Sequence, residues 1–277
     1  MRSLLVLVAA SSVGCAGIVG IDDWDPGSPA AADGSATTSS STGANSTTDG
    51  PQGGGGSAKG AGGSGGQGGS GGASCSTTTV IATLVSDVLL APGGSEPDCA
   101  QGAEPSINYG VDPLVNLGVG HGLLRFGLTP AAIAAIGAGA TVELEVSRAP
   151  DCYGDPCPAI DGTFDVYPMR NDWKEGTQSG ANVDGATWCE ADPKADVRWD
   201  DGGADGPGDR GALAGSVFAA AGDSVVTWTL PTLDASWIDP SKNELALLLM
   251  RQSGVLVVST RENPAAPAPL LRVTWCD

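Results

Sequence analysis

The sequence is poor in histidine, in basic residues and in aromatic side chains. It carries 1 His, 13 Lys and Arg against 32 Asp and Glu, and aromatics make up 5% of its 277 residues. A single histidine excludes His-rich metal sites, and neither His-Glu-x-x-His nor Gly-x-Ser-x-Gly occurs. That histidine, His121, sits between Gly120 and Gly122 in a turn-like run. The shortage of cations excludes another class of partner. From residue 75 onward there are 27 Asp and Glu against 11 Lys and Arg, a formal charge of −16. A surface of that sign repels phosphate backbones, so nucleic acid is not an expected partner. The widest absence is regional: residues 26–74 contain no Leu, Ile, Val, Phe, Trp, Tyr or Met. Such a segment cannot bury enough apolar surface to offset its ordering entropy, and it is predicted to be disordered. That excludes a globular enzyme of 277 residues. Glycine abounds there instead, 17 of the chain's 43, but without the period of three that collagen requires.

What is present begins with an export signal. Met1-Arg2 is a minimal positive region, Leu4 to Ala10 a short apolar one, and small residues follow up to Cys15. Ser12-Val13-Gly14-Cys15-Ala16 resembles a bacterial lipobox, in which the cysteine becomes the lipidated first residue; Ser12 stands where Leu is usual. Cleavage by the ordinary signal peptidase, an uncleaved apolar anchor reaching about Ile21 and a true start at another position are the alternatives. Ser11, Ser12 and Gly14 break the apolar stretch and disfavour a spanning helix. The expected organisation is a signal peptide over 1–14, a lipid-anchored N-terminus and Gly/Ser/Thr linker over 15–74, and a folded domain over 75–277. A coil like residues 26–74 has a root-mean-square span of roughly 40 Å. The expected location is the bacterial cell envelope, as an outer-membrane-anchored lipoprotein or an extracellular protein.

Six cysteines remain besides Cys15, an even number that outside the cytosol reads as three disulfides. Cys152 and Cys157 flank the turn-forming Tyr-Gly-Asp-Pro, so a local bridge is natural. Cys75 and Cys276 stand at the two ends of the domain, where termini often meet. Cys99 is then left with Cys189. A zinc site is the competing reading, but it lacks a second close cysteine pair.

From Thr79 onward, short apolar or alternating runs recur between turn-rich gaps. The expected strands are Thr79–Val85, Asp87–Ala91, Leu114–Val119, Leu123–Leu128, Thr141–Ser147, Thr163–Tyr167, Val225–Leu230, Glu244–Met250, Val255–Ser259 and Leu270–Trp275. Thr141 to Val146 alternates as a strand with one wet face should, while Leu245–Met250 is apolar throughout, as in a central strand. Pro130–Ile136 and Ala212–Ala221 are expected to be helical turns or short helices. So many strands with so little helix predict an all-β domain, a two-sheet β-sandwich of jelly-roll type.

Several of these runs carry a family resemblance. Asp87, Asn108-Tyr109-Gly110, Arg125-Phe126-Gly127-Leu128 and Gly139-Ala140-Thr141-Val142 occur in that order. They are followed by Val166-Tyr167, Asp172-Trp173-Lys174-Glu175, Gly185-Ala186-Thr187-Trp188, Ser259-Thr260-Arg261-Glu262-Asn263 and Pro269 to Trp275. Together they resemble a DNRLRE-type domain, a group also described as carbohydrate-binding module family 96, over roughly residues 82–276. Gly127 replaces the usual Asp, and Thr260 is an insertion in the usual Ser-Arg-Glu. The resemblance implies a β-sandwich attached to secreted or surface proteins, sometimes beside polysaccharide-degrading domains, with glycan binding in some members; non-catalytic glycan binding is the expected function. A structural or adhesive surface domain without glycan binding is the alternative, and a polysaccharide lyase or hydrolase a more distant one.

Sugar recognition needs flat apolar faces for sugar C–H surfaces and polar groups for the hydroxyls. Of the six tryptophans after residue 75, Trp188, Trp228 and Trp275 lie in or beside strand-like runs and are expected in the core. Trp173 and Trp199 lie in charged, loop-like sequence and are the candidate platforms. Tyr109 is a turn element and a further candidate contact. Arg261 and Glu262 read either as a structural ion pair or as ligand contacts. Asp200, Asp201, Asp205 and Asp209 fall in a Gly-rich loop that either binds calcium or is simply solvated. No other cofactor is expected. The expected partner is a polysaccharide or surface glycan, reached by a monomer that touches the membrane through its lipid alone.

Overall fold

The computed structural model describes residues 75–92, 99, 107–177, 179–181 and 184–276. Cys15, the expected lipidation site, the expected signal peptide and the Gly-rich segment lie outside them. Eight strands form the frame: β1 (Thr77–Leu90), β2 (His121–Gly127), β3 (Thr141–Ser147), β4 (Gly162–Pro168), β5 (Gly215–Ala219), β6 (Val225–Thr229), β7 (Glu244–Arg251) and β8 (Leu270–Cys276). They pair antiparallel in the order β5-β4-β7-β2-β1-β8-β3-β6. The first two expected strands are one. The register of β1 slips between Leu84 and Ser86; Thr77–Ala82 pairs with β8, and Thr83–Leu90 pairs with β2. A bulge of this kind bends a strand and sharpens its twist, which lets β1 serve both halves of the frame.

The two halves share one core. Phe126, Phe164, Leu247 and Leu249 from the β5-β4-β7-β2 half pack with Leu144, Trp228, Leu271 and Val273 from the β8-β3-β6 half. The indole of Trp228, fully buried on β6, donates to the carbonyl of Phe164 on β4 at 2.8 Å. The outward residues of the β8-β3-β6 half are Glu143, Glu145, Thr227, Arg272 and Thr274, so that face is wet. On the other side of the frame, β2, β4, β7 and the second part of β1 are covered on both faces, while the outer face of β5 stays exposed. Val88, Leu90, Leu123, Leu248 and Met250 point away from the shared core into a second cluster, closed by the excursion between β4 and β5. This explains why β7 is apolar without alternation.

A helix α1 (Pro130–Gly137) follows β2; Thr129 caps it by accepting from Ala132 N at 3.2 Å, and proline takes its first position. The second expected helix, over Ala212–Ala221, is instead strand β5. Gly215–Ala219 pairs with β4, and its alternating exposure matches an edge strand. Its alanines suggest a helix, but Gly215 weakens that propensity and the free edge of β4 overrides it. The three disulfides are Cys75–Cys276, Cys99–Cys189 and Cys152–Cys157. Such bonds form and persist in an oxidising compartment. Among the described residues no helix is long and apolar enough to cross a membrane.

Candidate functional site

The excursion between β4 and β5 gathers most of the charged and aromatic residues singled out in the sequence. Asp87 is buried on β1, and its backbone N–H donates to Glu175 Oε1 at 2.8 Å. Arg261 closes the group from the segment before β8. Its backbone N–H donates to Asp87 Oδ2 at 3.0 Å, and its Nη2 donates to Glu175 Oε1 at 2.8 Å and Glu262 Oε1 at 2.9 Å. A further bond runs from its Nη1 to the carbonyl of Val85. Asp87, Glu175 and Glu262 bring ligand oxygens within 4.8 Å of one another. Glu262 Oε2 is buried and, among the described residues, has no hydrogen-bond partner.

Three carboxylates against one guanidinium leave an excess of negative charge in a place with little water. Burial pushes Asp87 up to about 7, opposed by the Arg261 N–H and reinforced by the Glu262 and Glu175 carboxylates. Burial also raises Glu175, against the pull of the Asp87 N–H and Arg261. Such a set is relieved in one of two ways: by a proton held between carboxyls, or by a hard divalent cation ligated by oxygen. Arg261 and Glu262 therefore stand first as members of an ion cluster that ties β1, the excursion and the approach to β8 together.

Beside this cluster, Arg125 of β2 lays its guanidinium over the ring of Trp173, 4.5 Å from the centroid. It also donates to Asp172 Oδ1 and to the carbonyl of Trp173, both at 2.6 Å. Trp173 is thereby roofed and only 3% exposed. Trp199 is 6% exposed, with its indole donating to the carbonyl of Thr187 at 3.0 Å. Neither ring presents a face to a ligand, which overturns both as platforms. Their charged neighbours suggested a solvated loop, yet the loop folds back on the apolar outer face of β1, β2 and β7 and builds a core with it. Tyr109 is half-buried against the main core. Trp228 is fully buried as expected, while Trp188, Trp237 and Trp275 are half-buried.

The aspartate loop does not gather its carboxylates around a common point. Asp209, fully buried, accepts from Asn171 Nδ2 at 2.7 Å and from the backbone N–H groups of Asp200 and Asp201 at 2.8 and 3.1 Å. Asp205 pairs with Arg210 at 2.7 Å, Asp200 accepts from Gly208 N at 3.1 Å, and Asp201 accepts from Gly202 N at 2.8 Å. Each acid satisfies the loop's own donors, so calcium binding by these four is corrected to a structural role. His121 is likewise structural: its Nδ1 lies 2.7 Å from the carbonyl of Gly203, Trp188 packs on its ring, and burial lowers its pKa. Gly203 has φ 72°, and a Cβ there would come within 2.7 Å of both the Trp188 ring and His121 Nδ1.

Sequence reasoning passed over Glu175 and Asp112 as site residues. Glu175 was visible only as the last member of Asp172-Trp173-Lys174-Glu175. Asp112, buried beside Tyr109, faces the hydroxyl of Tyr153, which lies 2.6 and 2.8 Å from its two oxygens. No family model matches the chain, and no curated protein matches it.

Proposed function

We propose that this chain is an exported bacterial envelope protein, lipid-anchored through Cys15, that displays a non-catalytic carbohydrate-binding domain on its Gly/Ser-rich linker. The observation that carries this reading is the meeting of Asp87, Glu175, Arg261 and Glu262. These pieces of the DNRLRE-type pattern are up to 175 positions apart in sequence yet share one hydrogen-bonded cluster. Arg125 and Asp172-Trp173, two more pieces, meet beside it. The domain is a β-sandwich of jelly-roll type on this reading. Support comes from the strand order, since β2-β7-β4-β5 and β1-β8-β3-β6 are the two four-strand sets that a pair of interleaved Greek keys produces. The disulfides support export, and the acidic surface favours a neutral glycan over a polyanionic one.

Binding of the full-length protein to a panel of soluble and insoluble polysaccharides, with and without calcium, tests the function. Retention on at least one polysaccharide with no release of product is expected; no retention throughout would reject carbohydrate binding. Lipidation is tested separately by incorporation of a labelled fatty acid, which Cys15→Ala should abolish. A structural or adhesive surface domain is the second reading, favoured by the burial of Trp173 and Trp199.

A further inference from the structure

Between β3 and β4 the chain makes a small antiparallel hairpin, Asp151–Cys152 against Asp155–Pro156, with Tyr153-Gly154 as its two-residue turn. Both turn residues have positive φ, 59° and 103°. That pairing belongs to a type I′ turn, which Asn-Gly or Gly-Gly adopts at least cost. A bulky residue in the left-handed region is disfavoured by about 1–2 kcal/mol. The turn therefore does not account for a tyrosine, and burial does not either, because Tyr153 is 59% exposed.

The ring is nonetheless held fast. Its hydroxyl points into the fork of the buried Asp112 carboxylate, which also accepts from Leu114 N at 3.0 Å. The preceding residue, Cys152, is bridged to Cys157, and both pack against a separate small core of Leu114, Ala149, Val255 and Val257. Asp151 Oδ1 accepts from Gly154 N at 2.9 Å and braces the turn. An aromatic ring that is exposed and already immobilised binds a partner without a further ordering cost. Phe218, the other strongly exposed aromatic among the described residues, differs in this respect: it stands on β5, where strand alternation alone turns it outward.

We propose that Tyr153 is the stacking platform of a subsite for a neutral sugar residue. The ring face offers an apolar surface to sugar C–H groups, while the exposed carboxylates of Asp151 and Asp155 in the same hairpin accept from sugar hydroxyls. Those carboxylates, with Asp112 at the hydroxyl end of the ring, repel uronate and sulfate groups, so the ligand is uncharged. This assignment rests on the carbohydrate-binding reading and supplies the platform that Trp173 and Trp199 do not.

The test measures dissociation constants of the full-length protein, Tyr153→Asn and Tyr153→Phe. The probes are a soluble β-glucan and a galactomannan as neutral polymers, and polygalacturonate as an acidic one. Asn suits the turn, so Tyr153→Asn is expected to stay folded, as checked by its thermal melt, while weakening binding to the neutral polymer about tenfold or more. Tyr153→Phe keeps the stacking face but frees the ring from Asp112, and is expected to weaken binding by less than Tyr153→Asn does. Wild-type-like binding by a folded Tyr153→Asn overturns the platform and leaves the carbohydrate-binding reading standing. Binding to polygalacturonate alone also overturns the neutral subsite. Failure of the wild type on all three polymers rejects the platform together with the reading it rests on.

Discussion

Asp87 shows what a single residue discloses in the sequence and what it withholds. Its place at the start of a family-like pattern is legible; its burial among two glutamates and an arginine is not, because Glu175 and Glu262 reach it through tertiary contacts. The raised pKa has a consequence for stability. The folded chain keeps a proton on this cluster between about pH 4 and about 7, where the unfolded chain has lost it. The stabilisation is therefore complete below the unfolded carboxylate range and is lost as pH rises through 7. In chelator, wild-type stability is expected to fall over this interval, at most about 1.4 kcal/mol per pH unit. Asp87→Asn should flatten the slope, as read from urea unfolding at several pH values. His121 acts in the opposite sense, losing stability as pH drops below its ordinary range, so the difference between wild type and variant isolates Asp87. At Trp228 the sequence is a better guide, since an indole within an alternating Val-Val-Thr-Trp-Thr run points inward. Replacing it with Phe removes the donor to the Phe164 carbonyl and leaves a void, and a loss of about 2–4 kcal/mol is expected in the same assay.

Elements with local signals are legible and those decided by distant partners are not. Strand β3 matches its expected span, Thr141–Ser147, because alternation alone defines it. Helix α1 is marked by Thr129 and Pro130. Strand β5 reads as helix from its own residues and becomes a strand only because β4 offers an unpaired edge. The excursion between β4 and β5 is the largest departure. Its aspartates suggest a cation loop and its tryptophans a ligand face, yet both are consumed in holding the excursion to the sheet. Asp209 carries this: it satisfies three donors from a fully buried position. Asp209→Ala leaves those donors without an acceptor, and a drop of several degrees in Tm is expected. Because the loop supplies its own donors, chelator is expected to leave the wild-type melt unchanged at pH 5, where the Asp87 cluster holds its proton. A large shift there would restore the calcium reading of Asp200, Asp201, Asp205 and Asp209.

At the scale of the whole molecule, the cysteines were the most informative residues in the sequence, because turn chemistry and domain ends left few sensible pairings. The three bridges close loops of very different size, with sequence separations of 201, 90 and 5 residues. If their main effect is to restrict the unfolded chain, stabilisation grows with the logarithm of the loop. On that model the Cys75–Cys276 bridge contributes about 5 kcal/mol, the Cys99–Cys189 bridge somewhat less, and the Cys152–Cys157 bridge about 2 kcal/mol. The first also fastens the two strands that unite the molecule, since β1 serves both halves of the frame and β8 lies against it. Paired Cys→Ser replacements should therefore destabilise in the order Cys75/Cys276, Cys99/Cys189, Cys152/Cys157 when compared by urea unfolding. The last pair should instead show its effect in ligand binding, because it immobilises the hairpin that carries Tyr153. Equal losses for all three pairs, or the greatest loss for the shortest loop, would mean that the bridges act through native-state packing and not through the unfolded chain.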